Sequence, residues 1–239
     1  MKEKIKLLVS IRSIEEVKVV NGLNIDIVDL KEPNNGPVGM LDIKDIKNIV
    51  LALRDNKFRG KISTTFEHNQ GNMPESDIAK IEDLVTLGLD YIKIGVSADG
   101  NTWANLRRFT DNLNKIKNQV LENKLILVLM ITDKHSFKFV KNISPSMVGK
   151  FSGIMIDTLD KENGSVFDIV NFTELNIIKK FSLENNIDFG IAGSLDVSHT
   201  SLINQLKPNW AGYRGGVCLK KRSGLLSRVR LENLIDSFC

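Results

Sequence analysis

The chain has 239 residues, 42% of them hydrophobic and 26% charged, a composition that excludes a disordered polymer and fits a folded globular protein. Its 33 Lys and Arg against 29 Asp and Glu leave a net charge of +4 spread along the chain. That is too diffuse for a nucleic-acid surface, and basic residues are not interleaved with aromatics. No apolar run approaches the ~18 residues of a membrane span, and two cysteines, Cys218 and Cys239, cannot build a disulfide framework or an all-cysteine zinc site. Met1 to Ile11 lack the small-residue cleavage site of a signal peptide. The expectation is a reduced, cytoplasmic protein folded as a single domain over residues 1–239.

Short apolar runs alternate with longer segments of helical period. Ile5–Ile11 is followed by a helical pattern over Ile14–Val20, and Ile25–Lys31 by one over Ile43–Leu53. Lys61–Phe66 leads through Glu67–Pro74, a connection without periodicity that reads as a mobile active-site loop, into Ile78–Leu87. Then come Asp90–Val96 with Trp103–Leu121, Leu125–Met130 with Phe137–Val148, Gly153–Thr158 with Phe167–Leu183, Asp188–Ser194 with Val197–Leu206, and Trp210–Val217 with Arg230–Phe238. The runs are β-branched or aliphatic throughout, as strands buried on both faces of a parallel sheet must be. Eight strand–helix units in this length predict a TIM (β/α)8 barrel. A doubly wound sheet is disfavoured, because the chain carries neither G-x-G-x-x-G nor G-x-x-x-x-G-K-[ST]. Gly22, Gly88 and Pro208 stand where helices should close into the next strand.

A barrel of this type places its active site at the carboxyl ends of the strands, which reduces the search to polar residues ending apolar runs. The second run ends Asp29-Leu30-Lys31, the fourth carries Lys93, and the sixth ends Asp157-Thr158. Side chains alternate along a strand, and alternate strands fill one interior layer. Lys31, Lys93 and Asp157 are therefore expected to converge at the top of the lumen. A lysine is almost never fully buried unless paired, because desolvating an ammonium is costly. One held beside a second cation in a low dielectric becomes a usable amine nucleophile, with a nearby carboxylate as proton shuttle. The purely structural alternative is a buried ion pair of Lys93 with Asp29 or Asp157.

Lys161, four residues after Asp157, falls in the loop on the active-site side, or is a solvated turn lysine. After the last two strands come Gly193-Ser194 and Arg214-Gly215-Gly216. Barrel loops in that place often hold phosphate on backbone N–H groups, glycine permits close approach, and Arg214 could add a bidentate clamp; otherwise the glycines simply make tight turns. The turn Asn34-Asn35-Gly36-Pro37 with Gly39 reads as a wall of the pocket. Lys220-Lys221-Arg222 reads as a solvated run that could steer an anion. His68, His135 and His199 have no metal-ligand spacing, so neither metal nor cofactor is expected.

Taken together, Ile25-Asp-Ile-Val-Asp-Leu-Lys31-Glu-Pro with Gly36 and Gly39, Asp90-Tyr-Ile-Lys93-Ile-Gly95, Met155-Ile-Asp157-Thr158, Lys161-Glu-Asn-Gly164 before Phe167-Asp168, Ala192-Gly-Ser194 and Arg214-Gly-Gly-Val-Cys218 resemble the (5-formylfuran-3-yl)methyl phosphate synthase family. The resemblance runs from the first strand to the eighth. It implies a TIM-barrel lyase of methanofuran biosynthesis that condenses two glyceraldehyde 3-phosphate molecules without a metal. It further implies that Lys31 forms the Schiff base, Lys93 accepts a proton, and Asp157 and Lys161 assist proton transfer and carbonyl positioning. The segment after Cys218 departs from the family's Gly-rich turn with an acidic residue before arginine, reading Leu219-Lys-Lys-Arg222-Ser-Gly224. Strand five and its loop, through Thr132-Asp-Lys134, lack the family's small residues.

Two other readings stay open on the sequence: another lysine aldolase or isomerase acting on a phosphorylated sugar, and a catalytically silent barrel serving as an assembly or regulatory partner. The expected partner is a small triose phosphate, with no nucleic acid and no membrane. Analogy to other barrels suggests a homo-oligomer.

Overall fold

The computed structural model describes residues 4–66, 75–113, 124–161, 163–220 and 222–238. Eight parallel strands, β1 (Lys6–Ile11), β2 (Ile27–Leu30), β3 (Lys61–Phe66), β4 (Tyr91–Ser97), β5 (Leu125–Ile131), β6 (Gly153–Thr158), β7 (Asp188–Ile191) and β8 (Trp210–Tyr213), pair in sequence order. β8 pairs with β1 to close the barrel. The predicted TIM barrel is therefore the observed fold. Strands β7 and β8 are shorter than their apolar runs, so Ala192-Gly193-Ser194 and Arg214–Val217 lie in the loops beyond them.

The helices form where an apolar stripe can be buried. Helix α1 (Ile14–Val20) buries Val17 and Val20, and α2 (Ile43–Asp55) buries Ile46, Ile49, Val50 and Leu53, a spacing of three and four that lays one face on the strands. Helix α3 (Glu75–Thr86) and α4 (Thr102–Leu113) follow β3 and β4. The expected Glu67–Pro74 loop and residues 114–121 of the predicted fourth helix lie outside the described residues. Gly22 and Gly88 take left-handed φ of 74° and 79° just after α1 and α3.

Two predicted helices are each divided. Phe137–Val148 becomes α5 (Phe137–Val140) and α6 (Pro145–Val148), because a residue before proline avoids the helical region and Ser144 is extended at φ −122°, ψ 155°. Phe167–Leu183 becomes α7 (Val166–Ile169) and α8 (Phe172–Glu184). Val170 and Asn171 are extended there, and the Asn171 side chain caps α8 by accepting the Glu174 N–H at 2.9 Å. A 3-10 turn, Val197–His199, precedes α9 (Thr200–Leu206), and α10 (Arg228–Asp236) ends the chain's secondary structure.

The outer core packs strand residues such as Val28, Ile62 and Ile94 against the helices. The lumen is filled separately, by Leu8, Ile27, Ile126, Val128, Met130, Met155, Ala192 and Trp210. The Trp210 indole plugs this inner core because β6 and β7 present Gly153 and Gly190 to it. A Cβ on Gly190 would stand 1.8 Å from Trp210 Nε1. Gly190→Ala should therefore cost roughly 1–3 kcal/mol by overpacking, whereas Gly100→Ala, where a Cβ meets nothing within 4 Å, should be close to neutral. Urea unfolding of both variants checks this, and equal midpoints would show that the plug is not tight.

Candidate active site

Strand register builds the floor of the site. Ser10 of β1 pairs with Asp29 of β2, which pairs with Ser63 of β3, so one carboxylate is flanked by two hydroxyls on the same inner face. Ser10 Oγ donates to Asp29 Oδ2 at 2.9 Å and Ser63 Oγ to Oδ1 at 2.7 Å. Lys93 of β4 donates to Asp29 Oδ2 at 2.6 Å. Asp29 is fully buried. Burial alone would raise its pKa, but the Lys93 and Lys31 charges hold it below the ordinary value. The predicted substrate contact at Asp29 is not what its position supports: the carboxylate lies beneath the cavity, bonded to protein on both oxygens.

Above this floor, the loop after β2 folds over the barrel mouth. Its 3-10 turn, Pro33–Asn35, is capped by Glu32, whose side chain accepts the Asn34 N–H at 2.8 Å. The Gly39 carbonyl then accepts the Thr65 hydroxyl at 2.8 Å. Val38 enters the lumen at Gly95, where a Cβ would come within 2.6 Å of its side chain. Lys31 is buried under this loop, with the Pro37 carbonyl 3.4 Å from Nζ. Burial first, and the Lys93 cation second, lower its pKa from 10.5 to about 7.

Across the cavity, Lys161 donates to Asp157 Oδ1 and to the Thr158 carbonyl, and lies 3.1 Å from Thr158 Oγ1. Burial lowers the Lys161 pKa. The Asp157 carboxyl sits below its ordinary value, since Lys161 and then Lys31 outweigh its desolvation. Lys31, Lys93, Asp157 and Lys161 all line one cavity of about 520 Å3, together with Gly193, Ser194, Arg214, Gly215 and Gly216, a volume in the range of small-molecule sites.

The loops after β7 and β8 approach closely because glycine lets them. A Cβ on Gly216 would lie 2.4 Å from the Leu195 carbonyl oxygen, and one on Gly193, at φ 106°, 2.7 Å from Thr158 Cγ2. Ser194 is left-handed at φ 50° and its hydroxyl donates to the Lys161 carbonyl at 3.3 Å. Among the described residues, the backbone N–H groups of Gly193, Ser194, Gly215 and Gly216 have no protein acceptor.

Arg214 is engaged otherwise than its sequence position suggested. Its guanidinium forms a bidentate pair with Glu16 at 2.6 and 3.0 Å, and also donates to the carbonyls of Ser10, Arg222 and Gly224 at 3.0, 2.8 and 3.0 Å. All five donors have protein acceptors, which leaves none for a phosphate clamp. Glu16 is only 2% exposed and was not singled out in the sequence, although it shares a helix face with Val20, four residues on, where a carboxylate is anomalous. Arg222 reads in the sequence as part of a solvated run that could steer an anion. It lines the cavity instead, and donates to the Gly36 carbonyl at 2.8 Å. Lys221 lies outside the described residues, as does His68. His199 pairs with Asp196 at 2.9 Å and stacks on Phe167.

The model of one protein family, 4-HFC-P synthase, matches residues 7–235. The chain belongs to that family. Among its relatives, the (5-formylfuran-3-yl)methyl phosphate synthase of Methanosarcina acetivorans is 27% identical over 96% of this chain and 97% of its own. The enzyme of the same name from Archaeoglobus fulgidus is 25% identical over 97% and 98%. Among solved structures, a phosphoribosyl anthranilate isomerase superposes with a TM-score of 0.62 at 11% identity, covering 98% of each chain, which shows a shared fold. The relatives are synthases, so the family is one of enzymes, and the site described here is where a member's chemistry must be sought. No helix among the described residues is long and apolar enough to cross a membrane.

The Glu16–Arg214 pair links β1, α1 and the turn after β8, so its loss should be structural. Glu16→Leu, which leaves a buried guanidinium unpaired, should cost roughly 3–5 kcal/mol. The double variant Glu16→Leu/Arg214→Met should recover part of that in a double-mutant cycle by urea unfolding. Additive losses would mean that the two groups do not act as a pair.

Proposed function

We propose that this chain is a Schiff-base-forming carbon–oxygen lyase that converts two glyceraldehyde 3-phosphate molecules into (5-formylfuran-3-yl)methyl phosphate, for the synthesis of a methanofuran-type cofactor. Family membership supports the product. The observation that carries the chemistry is Lys31, an amine buried at the cavity wall with its pKa lowered to about 7. An ordinary lysine at that pH has only about 0.03% free amine, whereas here about half is available as nucleophile.

In this reading, one triose phosphate is isomerised to a dihydroxyacetone phosphate-like species and held on Lys31 as an iminium, with water leaving. The iminium acidifies the adjacent carbon, and the Lys93–Asp29 pair takes the proton: Lys93 hands its own proton to the Asp29 carboxylate across their 2.6 Å hydrogen bond and the freed amine accepts the one from carbon. The resulting enamine adds to the aldehyde of the second triose phosphate. Asp157 and Lys161, already bonded to each other, position the carbonyl and return protons during elimination and ring closure. The balance is two triose phosphates giving one furan aldehyde phosphate, one inorganic phosphate and two waters. The N–H groups of Gly193, Ser194, Gly215 and Gly216, which have no protein acceptor among the described residues, hold a phosphate.

Incubating the protein with glyceraldehyde 3-phosphate, with and without borohydride, tests this by mass spectrometry. The expected result is a furan aldehyde phosphate together with a reduced adduct on Lys31 that is absent from Lys31→Ala. An adduct without furan would assign a different phosphorylated sugar to the same amine. Neither product nor adduct from folded protein would favour a silent barrel. The adduct should also form faster as pH rises through about 7 and then level off, because the free amine is the reacting form. In Lys93→Met the midpoint should move upward, since the cation that disfavours protonation of Lys31 is gone.

A further inference from the structure

The cations on the cavity wall are not equivalent. Lys93 is paired with Asp29, Lys161 with Asp157 and Arg214 with Glu16. Arg222 is partly buried on the same wall, yet among the described residues no carboxylate lies within ion-pair distance of its guanidinium. Among the described residues, its side chain makes one hydrogen bond, from Nη2 to the Gly36 carbonyl. Its backbone, by contrast, is fixed, because Arg214 Nε holds the Arg222 carbonyl and Arg214 Nη2 the Gly224 carbonyl.

The root of the side chain lies over the turn after β8: a Cβ on Gly215 would be 3.7 Å from Arg222 Cβ. Its tip reaches the loop after β2. The guanidinium thus spans the mouth between the glycine turn and the loop that covers Lys31. Arginine's planar fork matches a phosphate, and a donor held only by a carbonyl exchanges readily for a charged acceptor. Lys220 and Arg230, exposed on the same rim, add positive potential for an arriving anion.

We propose that Arg222 is the substrate-phosphate ligand of this site: it exchanges its bond to the Gly36 carbonyl for the phosphate oxygens of an incoming triose phosphate, above the N–H groups of Gly215 and Gly216. This rests on the reading of the site as one for triose phosphates, and names the side chain that selects them.

The test uses the full chain with inorganic phosphate as probe in calorimetry, comparing wild type, Arg222→Met and Arg222→Lys, each confirmed folded by circular dichroism. Phosphate affinity should fall roughly 10- to 100-fold in Arg222→Met and less in Arg222→Lys. Borohydride trapping of glyceraldehyde 3-phosphate relative to unphosphorylated glyceraldehyde should fall by a similar factor. Unchanged phosphate affinity in folded Arg222→Met, or no phosphate binding by wild type at millimolar concentration, overturns the proposal. Weakened phosphate binding in a protein that traps no aldehyde upholds the Arg222 site and instead overturns the Schiff-base reading.

Discussion

The buried ion pair between Lys93 and Asp29 is the constraint on which the site depends. Asp29 has no exposure and three donors, Ser10 and Ser63 from the two adjacent strands and Lys93 from β4, the next strand beyond β3. A carboxylate so satisfied keeps a cation fixed in the lumen of a barrel otherwise lined by Leu8, Ile27, Met155 and Trp210. A second lysine in the same low dielectric then has little reason to stay protonated. Among the described residues, the hydrogen-bond acceptor of Lys31 is a single carbonyl at 3.4 Å, and burial first, then Lys93, disfavour its charge. The pair that would look purely structural in isolation is also one cause of its neighbour's lowered pKa.

The loops divide the remaining work by residue type. Glycines after β7 and β8 let two turns touch and leave their N–H groups open. Two arginines eight residues apart do opposite things. Arg214 is anchored by Glu16 and by three carbonyls, so it acts as a strut that sets the backbone of the following turn. Arg222, carried on that turn, keeps most of its donors uncommitted among the described residues. A rigid arginine beneath and an available one above is an arrangement suited to a ligand that brings its own negative charge.

Much of this was legible in the residues, for identifiable reasons. Strands β3 and β6 have the bounds of their apolar runs; β3 is flanked by Gly60 and Glu67, and β6 is preceded by Ser152. Lys31, Lys93 and Asp157 stood out as charges inside buried runs, and strand parity alone placed them on one inner face. The ends of β7 and β8 were less legible: Ala192-Gly-Ser and Arg214-Gly-Gly-Val continue an apolar pattern after the backbone has left the sheet. The divided helices needed local backbone chemistry, Pro145 in one and the Asn171 cap in the other, to override an apolar period. What Asp29, Arg214 and Arg222 bond to was not legible, for a common reason. Their partners, Ser10, Ser63, Glu16 and the Gly36 carbonyl, are distant in sequence, and only the barrel's register and its folded loops bring them together.

The proposed Schiff-base chemistry rests on the protonation state of a single amine, that of Lys31. Lysine 13Cε NMR of the wild-type chain, with the Lys31 resonance assigned by its loss in Lys31→Ala, reads that state directly. A midpoint near 7, with the resonance already that of a free amine by pH 9, is the expected titration. A midpoint near the ordinary 10.5 would mean that Lys31 is a plain ammonium at neutral pH, and that neither burial nor Lys93 prepares it as a nucleophile.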